Sequence, residues 1–423
     1  VTAVGIVETV EAAPIPPAGG FAGIGFESVP PSLAPVADRV DVPAGYKVEV
    51  LAAWGDPITP TGPAWAEDAS QDAAAQEQQF GMHTDGMHYF PFPVAGGSGL
   101  SNERGILCVN NEYTHEAILH ADGLDATTGI ATSTLSIQKI RKSQAAHGVS
   151  VMEVRRTGGK WGVRANSAFG RRITANTPVS LSGPAAGHPL MQTVKYDIRP
   201  TGSLANGTSD GRQGNGTVNN CAHGFTPWGT YLTCEENWNG YFGATASPFT
   251  PTKLERRYGV SANGFGYKWH VLDDRFDVRK NPNEPNNFGW VVEIDPFNPR
   301  STPVKRTAMG RFKHESAQVA VGPDNAVGFY MGDDERNEYI YKFVCAKPWN
   351  PRNRAANMNL LDEGVLYVAR FSSTPVPGKT NTFRGEWIAL EPGTVGLDGK
   401  PLRENPEFAA ATDAEVKALI LIK

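Results

Sequence analysis

Forty-six glycines and 32 prolines, nearly a fifth of a 423-residue chain, interrupt this sequence too often for long helices. Glycine weakens a helix interior by entropy, and proline removes a donor and clashes with the preceding turn. Such punctuation favours many short strands joined by turns. Runs of that kind recur: 46–51 (Tyr-Lys-Val-Glu-Val-Leu), 148–154 (Gly-Val-Ser-Val-Met-Glu-Val), 290–294 (Trp-Val-Val-Glu-Ile), 339–344 (Tyr-Ile-Tyr-Lys-Phe-Val) and 364–371 (Gly-Val-Leu-Tyr-Val-Ala-Arg-Phe). Several alternate apolar with polar residues and end at Gly, Asn, Asp or Pro, the pattern of half-buried strands. They return at about 40–50 residues, the length of a propeller blade. An all-β fold is expected, a β-propeller in preference to a sandwich. Helical periodicity is confined to 135–144 and 412–423, and 203–285 reads as decorated loops.

Residues 1–45, rich in Ala, Pro and Gly, read as an extended segment packing on a propeller domain that spans 46–423. That propeller would be incomplete, because the last element stops where a closed ring normally needs sealing strands. The formal charge of −5 argues against nucleic acid as the main partner, since a duplex-binding surface needs clustered Lys and Arg. No apolar run approaches the ~18 residues of a membrane span. The chain opens on Val1-Thr2-Ala3, with no basic segment followed by an apolar one, and so reads as a mature or trimmed protein, compatible with export. Four cysteines permit two disulfides, but a core of this size needs no staples, so at most one is expected.

The densest chemistry lies at Asn219-Asn220-Cys221-Ala222-His223-Gly224, Thr226-Pro227-Trp228-Gly229-Thr230 and Cys234-Glu235-Glu236-Asn237-Trp238. Pro-Trp-Gly-Thr has the look of a tight turn between two strands, and pairing them would bring Cys221 towards Glu235 and Glu236. A thiolate with carboxylates suits iron or zinc. Neighbouring residues of a strand point to opposite faces, so only one of the two glutamates can face a given site. Equally, Cys221 and Cys234 could form a hairpin disulfide or sit in the core, and His223 could satisfy a loop carbonyl.

Lys313-His314-Glu315-Ser316 taken alone reads as a solvated strand of mixed charge. Gly332 to Glu338 offers oxygen ligands fit for calcium without EF-hand spacing, and reads otherwise as an acidic turn. In Asn110 to Glu116, Glu112 could hold calcium or cap a loop. His83, Asp85 and His88 read as a satisfied loop before a metal or phosphate contact. There is no P-loop, no dinucleotide-binding glycine pattern, no nucleophile elbow and no His-Glu-x-x-His.

The 219–238 motifs, followed in order by Lys313-His314-Glu315, Met331-Gly332-Asp333-Asp334 and Tyr339-Ile340-Tyr341-Lys342-Phe343, resemble those of the PhoX-type alkaline phosphatases, from about residue 30 to the C-terminus. The resemblance implies a six-bladed β-propeller, exported by the twin-arginine route to the periplasm or beyond. It implies hydrolysis of phosphomonoesters at an oxo-bridged centre of two ferric ions with several calcium ions, releasing inorganic phosphate. Carried over motif by motif, Cys221, Glu236 and Glu315 would ligate iron, Asp334 would join the metal cluster and Glu112 would hold calcium. His223 and Lys313 would support the ligands or face the phosphate. The family's later Asp-Arg-Pro-Glu-Trp motif, a source of another carboxylate and a phosphate-binding Arg, does not occur; Arg384-Gly385-Glu386-Trp387 lacks its proline and comes too early. Two other functions compete: a calcium-stabilised propeller that binds a partner without catalysis, and a calcium-dependent lactonase or esterase.

Overall fold

A computed structural model describes residues 25, 27–30, 39–94, 96–122, 135–196 and 204–423. The chain divides into two units, Val1–Ala53 and Trp54–Lys423. Within the described part of the first, the Tyr46 hydroxyl donates to Gly25 O at 3.0 Å and Arg39 pairs with Asp41. The expected strand at 46–51 does not form. Val48 and Val50 both stay exposed, so the alternation there buries no apolar face.

The second unit is built of β-sheet with a few short helices, as the punctuation requires. One sheet comprises β1 (Thr84–Pro93), β2 (Leu100–Asn111), β3 (Gly148–Thr157), β4 (Lys160–Val163) and β5 (Arg171–Ile173). β1 to β4 lie in chain order, with β5 added antiparallel to β3. The larger sheet draws on β6 (Pro178–Ser182), while β7 (Val194–Tyr196) and β8 (Leu204–Thr208) form a separate pair. Its other strands are β9 (Gln213–Asn215), β10 (Asn220–Phe225), β11 (Tyr231–Glu235), β12 (Val291–Ile294), β13 (Val304–Arg306), β14 (His314–Val321), β15 (Val327–Asp333), β16 (Ile340–Cys345), β17 (Gly364–Pro375) and β18 (Phe383–Ala389). Strands β14 to β18 form an antiparallel meander, and β10 to β13 form another. The two meanders join where β10 runs parallel to β14, with Gly224 opposite Ala317. A Cβ on Gly224 would lie 2.0 Å from Ala317 O, so only glycine allows this junction.

The stretch 203–285, expected as loops, contains four strands, β8 to β11. The helical expectations emerge as α3 (Ile137–Ala146), after the shorter α1 (Ala73–Gln76) and α2 (Glu116–Leu119), and as α5 (Asp413–Ile422), after α4 (Lys253–Arg257). α5 starts at a capping box: Thr412 accepts from Glu415 N while Glu415 accepts from Thr412 N. No described helix is long and apolar enough to cross a membrane.

Two apolar clusters hold the strands in place. Leu232, Cys234, Phe329 and Phe343 fill the space between β11 and the β14–β17 meander. Phe90, Ile106, Val149, Val151, Tyr231 and Ile294 bind the five-stranded sheet to β11 and β12. This second cluster brings the starts of β1 and β10 together, and at that edge the chemistry lies.

Candidate metal centre

The turn Thr226–Thr230 joins β10 to β11 as the sequence suggested, with Phe225 opposite Tyr231 and Asn220 opposite Glu235. The two glutamates beyond it part company. Glu235 turns inwards, fully buried, onto Lys305 Nζ at 2.7 Å and the backbone N–H groups of Gly289 and Trp290 at 3.0 and 3.1 Å. Glu236 turns to the opposite face, towards Cys221. Glu236 N and Asn237 N donate to the O and Oδ1 of Asn219. Asn219 holds a left-handed φ of 49°, which its short polar side chain tolerates.

Six acidic or thiol groups leave from the same edge of the sheets. Asp85, Cys221 and Glu315 stand at the starts of β1, β10 and β14, and Glu112, Glu236 and Asp334 just past the ends of β2, β11 and β15. Ligand atoms of Cys221, Glu236 and Glu315 lie within 4.8 Å of one another, and so do those of Asp85, Glu112 and Cys221. Cys221 belongs to both groups: its Sγ is 3.3 Å from Asp85 Oδ2 and 3.5 Å from Glu315 Oε1. Asp334 stands near enough to raise the pKa of both Glu236 and Glu315.

Three β-bulges aim these side chains. Thr84 pairs with Asn111 and Met87 with Val109, so Asp85 and Gly86 share one partner position. Cys221 and Ala222 do the same between the Asn220–Glu235 and His223–Thr233 pairs, as do Ser316 and Ala317 just after Glu315. A bulge bends its strand and redirects a side chain, a device found beside active sites. His83 (φ 43°) and Ser316 (φ 66°), like Asn219, hold left-handed backbone next to these positions.

The electrostatics show crowding without relief. Burial, then the Asp334 hydrogen bond and the charge of Glu315, push the Glu236 carboxyl up to about 8. Burial and the neighbouring Asp85 push Glu112 up to about 7. Burial raises Glu315, and burial together with Glu315, Glu236 and Asp85 drives the Cys221 thiol far above its ordinary range. Groups so placed repel one another as anions, and a cation between them removes that repulsion. Soft sulfur with hard carboxylates is a donor set for iron, and the Asp85–Glu112 side, mostly oxygen, suits calcium. The residues present therefore fit metal ions.

The other sequence candidates fall around this group. Lys313 is buried and its Nζ is 2.5 Å from Glu335 Oε2, while its carbonyl accepts from Asp334 N at 3.0 Å. His314 is fully buried, its Nε2 3.0 Å from Gly310 O. The segment 313–316 is thus not the solvated strand that its mixed charge suggested: the sequence does not reveal that its neighbour is the closely packed β10. His223 is half-buried, its ring parallel to Tyr231 at 5.7 Å; burial lowers its pKa against the pull of Asp85. His83 stacks on Tyr113 and His88 on Phe225. Asp85, read from sequence as part of a satisfied loop, lies in β1 and in the centre; Gly86 was the available signal, since a glycine inside a strand pattern often marks a bulge. All four cysteines are free, so the hairpin disulfide does not form.

An all-β fold of propeller type, carrying a thiol and carboxylates on one edge and shaped to receive cations, is the class that these features define. Residues 24–419 match the family described as alkaline phosphatase PhoX, and the chain belongs to that family. It is similar to the solved structure of Pseudomonas fluorescens PhoX in complex with vanadate, a transition state analogue, with 43% sequence identity and a TM-score of 0.78. The match covers 94% of this chain and 62% of that one, so the chain spans less than two thirds of the relative's length. A search of curated proteins finds no match.

Proposed function

We propose that this protein is a metal-dependent alkaline phosphatase that hydrolyses phosphomonoesters and releases inorganic phosphate. The observation that carries the reading is the convergence of Cys221, Glu236 and Glu315, from three strands, onto one point beside Asp85 and Glu112. The relative's affinity for vanadate supports the same chemistry, because vanadate imitates the phosphoryl group in transfer.

In this reading Cys221, Glu236 and Glu315 hold ferric iron, Asp334 completes the carboxylate wall, and Glu112 with Asp85 holds calcium. Once bound, the cations supply positive charge facing the phosphoryl oxygens as negative charge grows on them and activate a water near neutral pH. The chain's own part is to fix that geometry. The bulges set where the ligand atoms stand, and the Glu235–Lys305 pair holds the end of β11 so that Glu236 keeps its direction. Lys313 positions Asp334 through its carbonyl, and His223 stands against the Asp85–Gly86 bulge. Export to the periplasm or outside is part of the proposal and rests on the family resemblance.

The test is hydrolysis of a chromogenic phosphomonoester before and after chelation, together with metal analysis of wild type and Cys221→Ala. Iron and calcium in the wild type, turnover lost on chelation, and neither iron nor turnover in Cys221→Ala are expected. Turnover that survives both treatments overturns the reading. A lactonase or esterase would need calcium without iron, and a binding module would show no turnover.

A further inference from the structure

A β-bulge leaves backbone groups without ladder partners, and buried ones must be satisfied in some other way. At the Cys221–Ala222 bulge the two carbonyls are met by a single side chain from another sheet. Asn110 Nδ2 donates to Cys221 O at 2.6 Å and to Ala222 O at 3.0 Å. Its Oδ1 accepts from Thr233 Oγ1 at 2.8 Å and lies 2.8 Å from Tyr231 OH, whose one proton it shares with Gly86 O. Asn110 is fully buried near the end of β2, and both its donors and both its acceptor sites are used. The orientation of the amide is unambiguous, because carbonyls only accept and the two hydroxyls can donate.

Asn110 also stands opposite the second bulge, where Asp85 and Gly86 share its position in the β1–β2 ladder. The two bulges touch: a Cβ on Gly86 would lie 2.9 Å from Cys221 O, and Tyr231 OH is 2.9 Å from Gly86 O. One amide thus braces the backbone that presents Cys221 and backs the one that presents Asp85.

We infer that Asn110 is a positioning residue: its amide clasp on the Cys221 and Ala222 carbonyls sets where the Cys221 sulfur stands. This deepens the proposed function and rests on it for the metal, but the clasp itself is a property of the protein without metal. Neither aspartate nor alanine can replace it. A carboxylate would face two carbonyls with acceptors, and alanine would leave both carbonyls without that donor.

The experiment uses the full chain in two states. In the metal-free protein, maleimide labelling read by mass spectrometry should modify Cys221 alone, since Cys108, Cys234 and Cys345 are buried. Asn110→Asp and Asn110→Ala should label Cys221 about tenfold faster than wild type, the consequence of losing two buried hydrogen bonds. Ser150→Ala, which removes the nearby buried bond from Ser150 Oγ to Asn111 Oδ1 at 2.7 Å, should stay near the wild-type rate. In the iron-loaded protein, the Asn110 variants should show a shifted thiolate-to-iron absorption band and iron affinity about ten- to a hundredfold weaker, the usual effect of removing the support of a ligand. A variant labelled at all four cysteines has unfolded, and the isosteric Asn110→Asp then decides. Wild-type labelling rates in the folded Asn110 variants overturn the inference. A wild type that takes up no iron overturns the functional reading instead, and the labelling still decides the role of Asn110.

Discussion

Glu235 and Glu236 are neighbours in sequence and opposites in circumstance. Elsewhere in the described fold several buried carboxylates each meet a cation supplied by the chain. Glu235 has Lys305, Asp273 has Arg141 at 2.7 Å, Glu284 has Arg275 at 2.5 Å, and Glu293 has Arg306 at 2.6 Å. At the edge Asp85, Glu112, Glu236 and Glu315 crowd round a thiol, and Lys313, at their margin, is taken by Glu335. A buried charge without partner or metal costs several kcal/mol, of order. The fold therefore treats its acids in two ways: some are neutralised by the chain's own cations, while those at the edge crowd against one another and a thiol.

The contrast breaks most visibly at Glu236. Glu236→Gln should abolish phosphomonoester turnover and lower the iron content, while the metal-free protein becomes more stable at alkaline pH. The folded-state pKa of Glu236, about 8, lies above its ordinary 4.5, and that of Glu112 lies at about 7. Such groups contribute stability that is fully present below their unfolded pKa and is lost as pH rises through the folded one. The metal-free wild type should thus lose about 1–3 kcal/mol between pH 4.5 and 8, a range reduced because the site opens to water. Denaturant titrations across that interval should show the loss, its reversal by added calcium and iron, and a flatter profile in the variant. A metal-free protein whose stability is independent of pH there would remove the electrostatic half of the comparison.

On the inner side the expected result has the opposite sign. Lys305→Met leaves Glu235 buried beside an apolar group and should destabilise the fold by about 3–5 kcal/mol. Glu235 and Glu236 lie next to each other, so the iron content of any protein that still folds should fall as well. A stable Lys305→Met protein with full metal content would mean that the inner pair neither supports the fold nor steadies the site.

How much of this could be read in the sequence depends on how local each feature is. The hairpin from Cys221 to Glu236 was legible, because Pro227 and Gly229 mark a turn and period two sends Glu235 and Glu236 to opposite faces. The convergence of Glu315, 94 positions from Cys221, was not. It depends on the parallel contact of Gly224 with Ala317, and no local pattern encodes that pairing; the resemblance to a family supplied it. Asp85 was read as part of a satisfied loop before a metal contact, because its neighbours in the group, Glu112 and Cys221, come from other strands that its local pattern does not name. The strand expected at 46–51 did not form although its alternation was clear, because Val48 and Val50, which should face a core, stay exposed. Asn110 gave no signal, since a buried amide that satisfies two bulge carbonyls looks in sequence like any turn-forming asparagine.

The smallest effect is expected at Lys313, and it probes the boundary of the comparison. Its amine is bound to Glu335, whose carboxyl the contact holds below its ordinary pKa. Glu335 is partly exposed, and a pair of that kind contributes up to about 1 kcal/mol. Lys313→Ala should therefore change unfolding stability by no more than about 1 kcal/mol. The shift of Asp334 carried by the backbone should be slight, because the bond it receives is to the Lys313 carbonyl, which alanine keeps. KM for a phosphomonoester should rise less than about tenfold, the change that about 1 kcal/mol allows. A rise well beyond that, with kcat unchanged, would show the amine leaving Glu335 for the phosphate. The chain's own cations would then serve both sides of the sheet, and the division between internally and externally neutralised acids would hold for the ligands alone.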